Sequence, residues 1–472
     1  MNVRGSVSIM DENELDRVEK AAMKILAETG LNLQNLKMLD DLGEYGWKID
    51  KKNEKVYFPP DKLEEFLEKS DPVDWSNLPP VKIQGGAYCS RYLPPDNDMP
   101  QMSTVHNSIE LTRLGDYLNN IDNMIGMGIP SDVPQKTVPL WQYFIAWRYA
   151  EKTASNAGGI FYRECLPYME EMAHIMAAEK GGSLFDHVHV GIELITPLTF
   201  GKHEANVYYD TTKRGLRTTL MSMPGLGGTG PVTLAGSLAL GLAETWICNI
   251  INRIYARQKG LYYMSSICPF DMRNGFIRLG RPENALMHMA YGQLARKRKA
   301  TMHANCFLTD AQRPSVEAGF EKALTAIPAF LAGSVSTGSV GMLSIDEYNS
   351  PIQLILDNEF AGALKRMFWG FEINEDTLAV DLINQIGPGG NYLDHEHTFS
   401  HYHHELWMPS IWTGVINNGW EFGGRKVDLD YAREIYEDVM ANYHPRGIGE
   451  KTEEELMRII RRAEKEIGSE AK

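Results

Sequence analysis

The sequence predicts an α/β fold, a (β/α)8 TIM barrel with a small N-terminal α+β cap and C-terminal helices. Two observations point there. From about residue 120, short apolar runs alternate with longer amphipathic stretches, the pattern of parallel strands joined by crossover helices. The chain is also 472 residues long and 43% hydrophobic, enough to bury one large core.

Taken in order, "DENELDRVEKAAMKILAETG" sets Leu15, Val18, Ala22, Ile25 and Leu26 on one helical face and stops at Gly30. "GWKIDKKNEKVYF" alternates around a polar turn, so a hairpin is expected, and Pro60 with Asp61 opens the next helix. These elements make up the cap, residues 1–105, which the Pro-rich "LPPDNDMP" closes. Candidate strands follow at 123–130, 155–161, 187–197, 217–224, 261–270, 300–308 and 329–343, with a short eighth at "GFEIN", 370–374. Between them "LPYMEEMAHIMAAEKG", "PVTLAGSLALGLAETWICNIINRIYARQKG" and "SVEAGFEKALTAIPAF" read as helices. Such a run of β-α units over 106–425 fits a barrel better than an open sheet. Residues 426–472 form a helical extension whose last helix opens on a Thr452/Glu455 capping box.

The net charge of −15 and the lack of a Lys/Arg block argue against a nucleic-acid or anionic-membrane surface. Five cysteines stand far apart without a CxxC pair, so buried free thiols are expected rather than a disulfide framework or zinc knuckle. The first residues have no apolar leader pattern and no 18-residue uncharged apolar run follows, so the expected location is the cytoplasm.

In a barrel the chemistry sits where strands end. That rule selects Glu193, Met223 to Gly230, Asn305, Phe307, Asp310 and the "SIDEY" run 344–348. Three constellations lie in or near these places. "MPGLGGTGPVTLAG" contains Gly225-x-Gly227-x-x-Gly230, formally a dinucleotide fingerprint. It lacks an acidic ribose partner at the next strand end, and Pro231 removes one amide. A close-packing loop with amides free for a ligand, or a plain tight turn, accounts for it better. Five histidines crowd "DHEHTFSHYHH" (His395, His397, His401, His403, His404), which suits a metal, a hydrogen-bonding wall or a structural cluster. Aromatic residues including Phe161, Tyr162, Phe270, Phe307, Tyr348, Tyr392, Trp407 and Trp412 would supply either core or the π faces of a quaternary-ammonium cage.

Four motifs in order, "GTGPVTLAGSLALGLAE", "TDAQRPSVEAGFEKAL", "GSVGMLSIDEYNSPIQLILDNE" and "GPGGNYLDHEHT", resemble the trimethylamine methyltransferase family over roughly residues 10–440. The resemblance implies a barrel enzyme that passes a methyl group to a corrinoid, with the 387–398 loop part of the methyl-transfer site and no metal bound by the chain itself. The trimethylamine enzymes carry pyrrolysine in the segment that reads "GMLSIDEYNSP" here, and ordinary residues stand in its place. That departure resembles the branch acting on quaternary amines, glycine betaine first, with proline betaine and carnitine as alternatives. The Asp-x-His-x-x-Gly signature of corrinoid carriers is missing, since "DHVHVG" puts His189 at the wrong offset. The corrinoid is therefore expected from a separate partner protein.

Physical chemistry supports a quaternary substrate. A quaternary ammonium is already activated, because its methyl can leave to a cobalt(I) nucleophile while a neutral amine departs. The expected catalytic residues are Asp346, Glu347, His303 and Asn305. Phe307, Tyr348, Tyr392, His395 and His397 are expected to bind substrate, with amides of Gly227, Gly228 and Thr229 on a carboxylate. His303, Asn305 and Phe307 share one strand face by alternation. Rival readings are a metal-dependent lyase or hydrolase using the 395–404 histidines and a non-catalytic betaine-binding protein. A homo-oligomer is expected.

Overall fold

A computed structural model describes residues 3–86, 88–153, 162–412 and 414–468. The first predicted helix forms over Glu12–Glu28, with a capping box in which Asp11 accepts from the Glu14 amide at 2.8 Å and Glu14 accepts from the Asp11 amide at 2.9 Å. Gly30 follows at φ +68°, and a Cβ there would meet the Val56 carbonyl oxygen at 2.3 Å, so only glycine fits. The predicted hairpin is Lys48–Asp50 against Lys55–Tyr57. Its neighbour Leu31–Leu33 also pairs with Thr199–Phe200, which ties the N-terminal segment to the turn after strand His189–Glu193.

The body of the fold is a series of parallel pairings that follow the chain. Gln84 bridges Asn123 and Met124 bridges Thr153. His189–Glu193 pairs with Arg217–Met221, Gly225–Leu226 with Cys268–Asp271, and Tyr262–Ser265 with Thr301–Ala304. The Val335 amide then donates to the Met302 carbonyl at 2.9 Å, and Ser336–Val340 pairs with Lys82–Gly85. Helices Leu166–Lys180, Lys202–Lys213, Leu234–Tyr255, Pro282–Lys297 and Val316–Leu331 intervene as crossovers, and Pro351–Trp369 follows the last strand. Leu234–Tyr255, the one described helix long and apolar enough to cross a membrane, is instead largely buried within the fold.

Several expectations need correction. "GFEIN" is not a strand: Phe371 and Ile373 are 53% and 65% exposed. Lys82–Gly85 takes the missing place, so the boundary at 105 cuts through a sheet shared with Ser336–Val340. Its alternation is only four residues long and hides between Pro79-Pro80 and Gly85-Gly86. The 329–343 run splits between the end of a helix and a strand that begins at Ser336. The strand expected at 155–161 lies outside the described residues. At the C-terminus the helix Glu450–Ile467 starts one turn early, after Gly449, and Thr452 donates to Glu179 at 3.0 Å instead of capping. All five cysteines are free and buried.

A buried ion pair locks the turns that follow the last two strands. Lys322 donates to Asp357 at 2.8 Å, with side chains only 1% and 2% exposed. Lys322 also donates to the Phe307 carbonyl at 2.8 Å, and Asp357 accepts from the Gly341 amide at 2.7 Å and Gln353 at 2.8 Å. Burial raises the Asp357 pKa and Lys322 opposes it. Removing one partner strands the other charge, so Lys322→Met is expected to cost about 3–5 kcal/mol in urea unfolding. Lys322→Met/Asp357→Leu should recover much of that loss; a neutral single variant would contradict this role.

Candidate active site

Between the strands lies a cavity of about 1640 Å³. Alternation decides which side chains it sees. Arg217, Thr219 and Met221 line it, whereas Leu220 does not and is 1% exposed. The same parity brings His189, Gly191 and Glu193, then Tyr262, Met264 and Ser266, then His303 and Asn305 to the wall.

Three groups mark the end of the cavity where the strands finish. Glu193 is the last residue of its strand, Tyr88 follows Lys82–Gly85 and Asp346 follows Ser336–Val340. They open onto the cavity, with Tyr88 49% exposed, yet protein encloses them. Removal from bulk water raises the Glu193 pKa, and the Asp346 charge raises it further. Asp346 is raised by the same desolvation and by Glu347. Tyr88 is pushed up to about 12 by burial first and by the charges of Glu193 and Asp346 next. Among the described residues neither carboxylate has a hydrogen bond or ion pair, so this end holds negative charge with no cation to balance it.

Backbone strain aims Asp346. Ser344 and Ile345 stand at φ +53° and +69°, a costly region for a β-branched residue. The Ser344 amide donates to the Ala311 carbonyl and the Ile345 amide to the Thr309 carbonyl, each at 2.8 Å. Ser344 Oγ donates to Glu347 at 2.8 Å, so Glu347 holds the turn and does not reach the cavity wall. Glu244 plays a similar part under Glu193. It accepts from the Leu198 amide at 2.7 Å and Thr196 Oγ1 at 3.1 Å, and burial pushes its pKa up to about 7.

Deeper in, the polar wall is neutral. His189 Nε2 meets Thr219 Oγ1 at 2.8 Å, and His303 Nδ1 meets Ser336 Oγ while its ring lies 4.5 Å from Tyr262. Burial, then the charge of Arg217, lowers His189 to about 3 and His303 to about 4, so both are uncharged at neutral pH. Asn305 accepts from Ser339 at 3.0 Å. Met223, Met264 and Met342 add thioether surface.

Of the expected site residues, Asp346, His303 and Asn305 reach this cavity. Phe307 does not: the strand ends at Ala304, Phe307 turns to φ +68°, and its ring packs 5.0 Å from Phe360 with no exposure. Tyr348 is 3% exposed and donates to the Gln312 carbonyl at 2.5 Å. Gly227 and Gly228 spend their amides on the carbonyls of Gly230 and Gly225, and Thr229 Oγ1 accepts from Gly225, so this loop is a closed turn that does not line the cavity. Tyr392, His395 and His397 belong to an outer segment whose helices bury no residue. There His397 stacks on His401 at 4.2 Å and His401 meets Asp376 at 3.0 Å, which makes Asp376, His397 and His401 a group that could hold a metal, apart from the cavity. Trp407 and Trp412 pack together at 5.6 Å, Tyr162 sits 6.3 Å from His203, and Phe161 lies outside the described residues. The expected aromatic cage does not form among the described residues, and the strand-end part of the cavity carries two carboxylates and one tyrosine. Tyr88 was missed because its strand was read as cap, although the strand-end rule had selected Glu193.

Carboxyl groups with raised pKa values stabilise the fold fully below their unfolded value of about 4.3, and that contribution is lost as pH rises through the folded value. A bound quaternary ammonium should offset the loss. The melting temperature is therefore expected to rise more on adding tetramethylammonium at about pH 8 than at about pH 5. Glu193→Gln/Asp346→Asn should abolish this pH dependence; an equal shift at both pH values would contradict it.

The chain matches the family model described as trimethylamine methyltransferase (MTTB) over residues 2–468. It is 26% identical over 483 positions to a glycine betaine methyltransferase of Desulfitobacterium hafniense (strain Y51), covering 98% of each chain. It is 23% identical over 493 positions to the trimethylamine methyltransferase MttB of Methanosarcina barkeri, covering 97% of this chain and 96% of that one. Among solved structures it is similar to the hydroxylamine complex of MtmB, with a TM-score of 0.52, 11% identity and coverage of 93% and 89%. By the extent of the family match, the chain belongs to the trimethylamine methyltransferase family.

Proposed function

We propose that this chain is a (β/α)8-barrel enzyme that moves one N-methyl from a quaternary amine, with glycine betaine favoured, to the Co(I) corrinoid of a separate partner protein, releasing dimethylglycine. The carrying observation is the pair of unbalanced carboxylates, Glu193 and Asp346, at the strand ends of a large cavity. Similarity to the glycine betaine methyltransferase supports the substrate. Proline betaine and carnitine share the ammonium and carboxylate and are the alternatives. The cytoplasm and a homo-oligomer are the proposed setting.

The chemistry asks little of acid–base groups. The methyl carbon forms its bond to cobalt as the C–N bond breaks, the electron pair returns to nitrogen, and cobalt goes from Co(I) to methyl-Co(III). The amine leaves neutral, so no proton donor is needed. Glu193 and Asp346 hold the positive charge, the Tyr88 ring face adds about 0.5–2 kcal/mol, and the methionine thioethers surround the methyl groups. Neutral His303 and Asn305 orient the substrate by hydrogen bonds. The metal-enzyme reading is weaker, because Asp376, His397 and His401 stand apart from the cavity.

The test mixes the protein anaerobically with Co(I) cobalamin, or the reduced corrinoid protein, and one amine at a time. Glycine betaine should produce the methyl-Co(III) spectrum and trimethylamine should not. Glu193→Gln and Asp346→Asn should each lower the rate about tenfold or more. Silence with every quaternary amine would overturn the proposal.

A further inference from the structure

The opposite end of the cavity carries the opposite charge. Arg217 begins the strand that ends in Met221; its register partner is His189, while Met221 pairs with Glu193. Arg217 and Glu193 therefore look into one space from levels four residues apart, about 13 Å along a strand. The guanidinium lies 5.8 Å from the Phe185 ring centre, and Phe185 precedes the strand, so the charge stays at this far level. Its field reaches His189, His303 and Tyr262, which come from three other strands.

One carboxylate at this end feels the charge: after the Ser183 hydrogen bonds, Arg217 helps hold Asp186 below the usual carboxylate range. The nearest carboxylate along the chain on that side, Asp186, caps its own helix by accepting from the Ser183 amide and hydroxyl, each at 2.8 Å. Arg257 faces the other groups from the next level, 5.6 Å from the same Phe185 ring, and Lys82 also lines this end. Among the described residues Arg217 forms no ion pair. The cavity is thus acidic where the strands end, neutral and polar midway, and basic on balance where they begin, with Lys82, Arg217 and Arg257 set against Asp186. It is also larger than the roughly 300–1,000 Å³ of common small-molecule sites.

We propose that Arg217 binds the anionic end of the substrate, which shifts the preference within the quaternary-amine reading from glycine betaine to a trimethylammonium carboxylate with a spacer longer than its single methylene. This rests on the methyl-transfer reading above. With its ammonium between Glu193 and Asp346, glycine betaine would hold its carboxylate beside those same acids, where no cation stands. A longer spacer carries the carboxylate past His303 and His189 toward the guanidinium.

The test is a homologous series of ω-trimethylammonio carboxylates, with tetramethylammonium as the tail-less control. Binding is measured by calorimetry without cobalt, and KM and kcat by Co(I) methylation. Affinity should rise about tenfold or more from glycine betaine to a chain of about four or more methylenes. Arg217→Met should erase that gain with kcat little changed and leave tetramethylammonium binding intact, and Arg217→Lys should restore part of it. Tightest binding by glycine betaine, or an equal loss across the series in Arg217→Met, would overturn the inference. A chain-length optimum that depends on Arg217 without any cobalt methylation would uphold the tail site and defeat the methyl-transfer reading instead.

Discussion

The pairing of Lys82–Gly85 with Ser336–Val340 is the constraint on which the site depends. It joins residues more than half the chain apart, and the segments that follow stay together, with Arg91–Tyr92 running beside Tyr348–Asn349. Tyr88 and Asp346 are carried on these two segments and meet Glu193 from the far side of the cavity. The buried Lys322–Asp357 pair then holds the connecting turns by their backbone groups. Loop closure over such a separation costs only slowly more with length, so the pairing is affordable once the intervening helices pack.

With the strand ends fixed, electrostatics determines what the cavity favours. Two carboxylates drawn from bulk water without a partner are unfavourable, and each raises its pKa in response. A permanent cation relieves that cost, whereas a neutral amine does not. The histidines midway behave in the opposite sense. Burial keeps them uncharged, so they add hydrogen bonds without competing for the acids. A substrate that brings its own positive charge and loses it in the reaction fits this arrangement, because the product amine no longer satisfies the carboxylates and is released more easily.

Much of this was legible from the residues. Alternating apolar runs located the strands at 189–193, 217–221, 262–265 and 301–304, since each is bounded by helices with clear periodicity. Period-2 alternation correctly turned His303 and Asn305 toward the cavity, and it failed at Phe307 because the strand had ended and the chain had entered a positive-φ turn. Asp346 was found through its strand-end position. Tyr88 and Arg217 were not, the first because a four-residue strand beside Pro and Gly carries almost no periodic signal. A basic residue at the start of a strand, like Arg217, reads as a solvated terminus until the cavity is seen. The histidine cluster misled for another reason: closeness in sequence put His397 and His401 together on one helix, on an outer segment away from the cavity.

The central claim is that the two acids at the strand ends recognise a permanent positive charge, not merely the shape of a trimethyl group. The most direct measurement compares calorimetric binding of a trimethylammonium carboxylate with that of its carbon isostere, in which a quaternary carbon replaces the nitrogen. The charged ligand should bind about tenfold or more tightly, and the difference should vanish in Glu193→Gln/Asp346→Asn. Equal binding of the two ligands by the unaltered protein would contradict the claim.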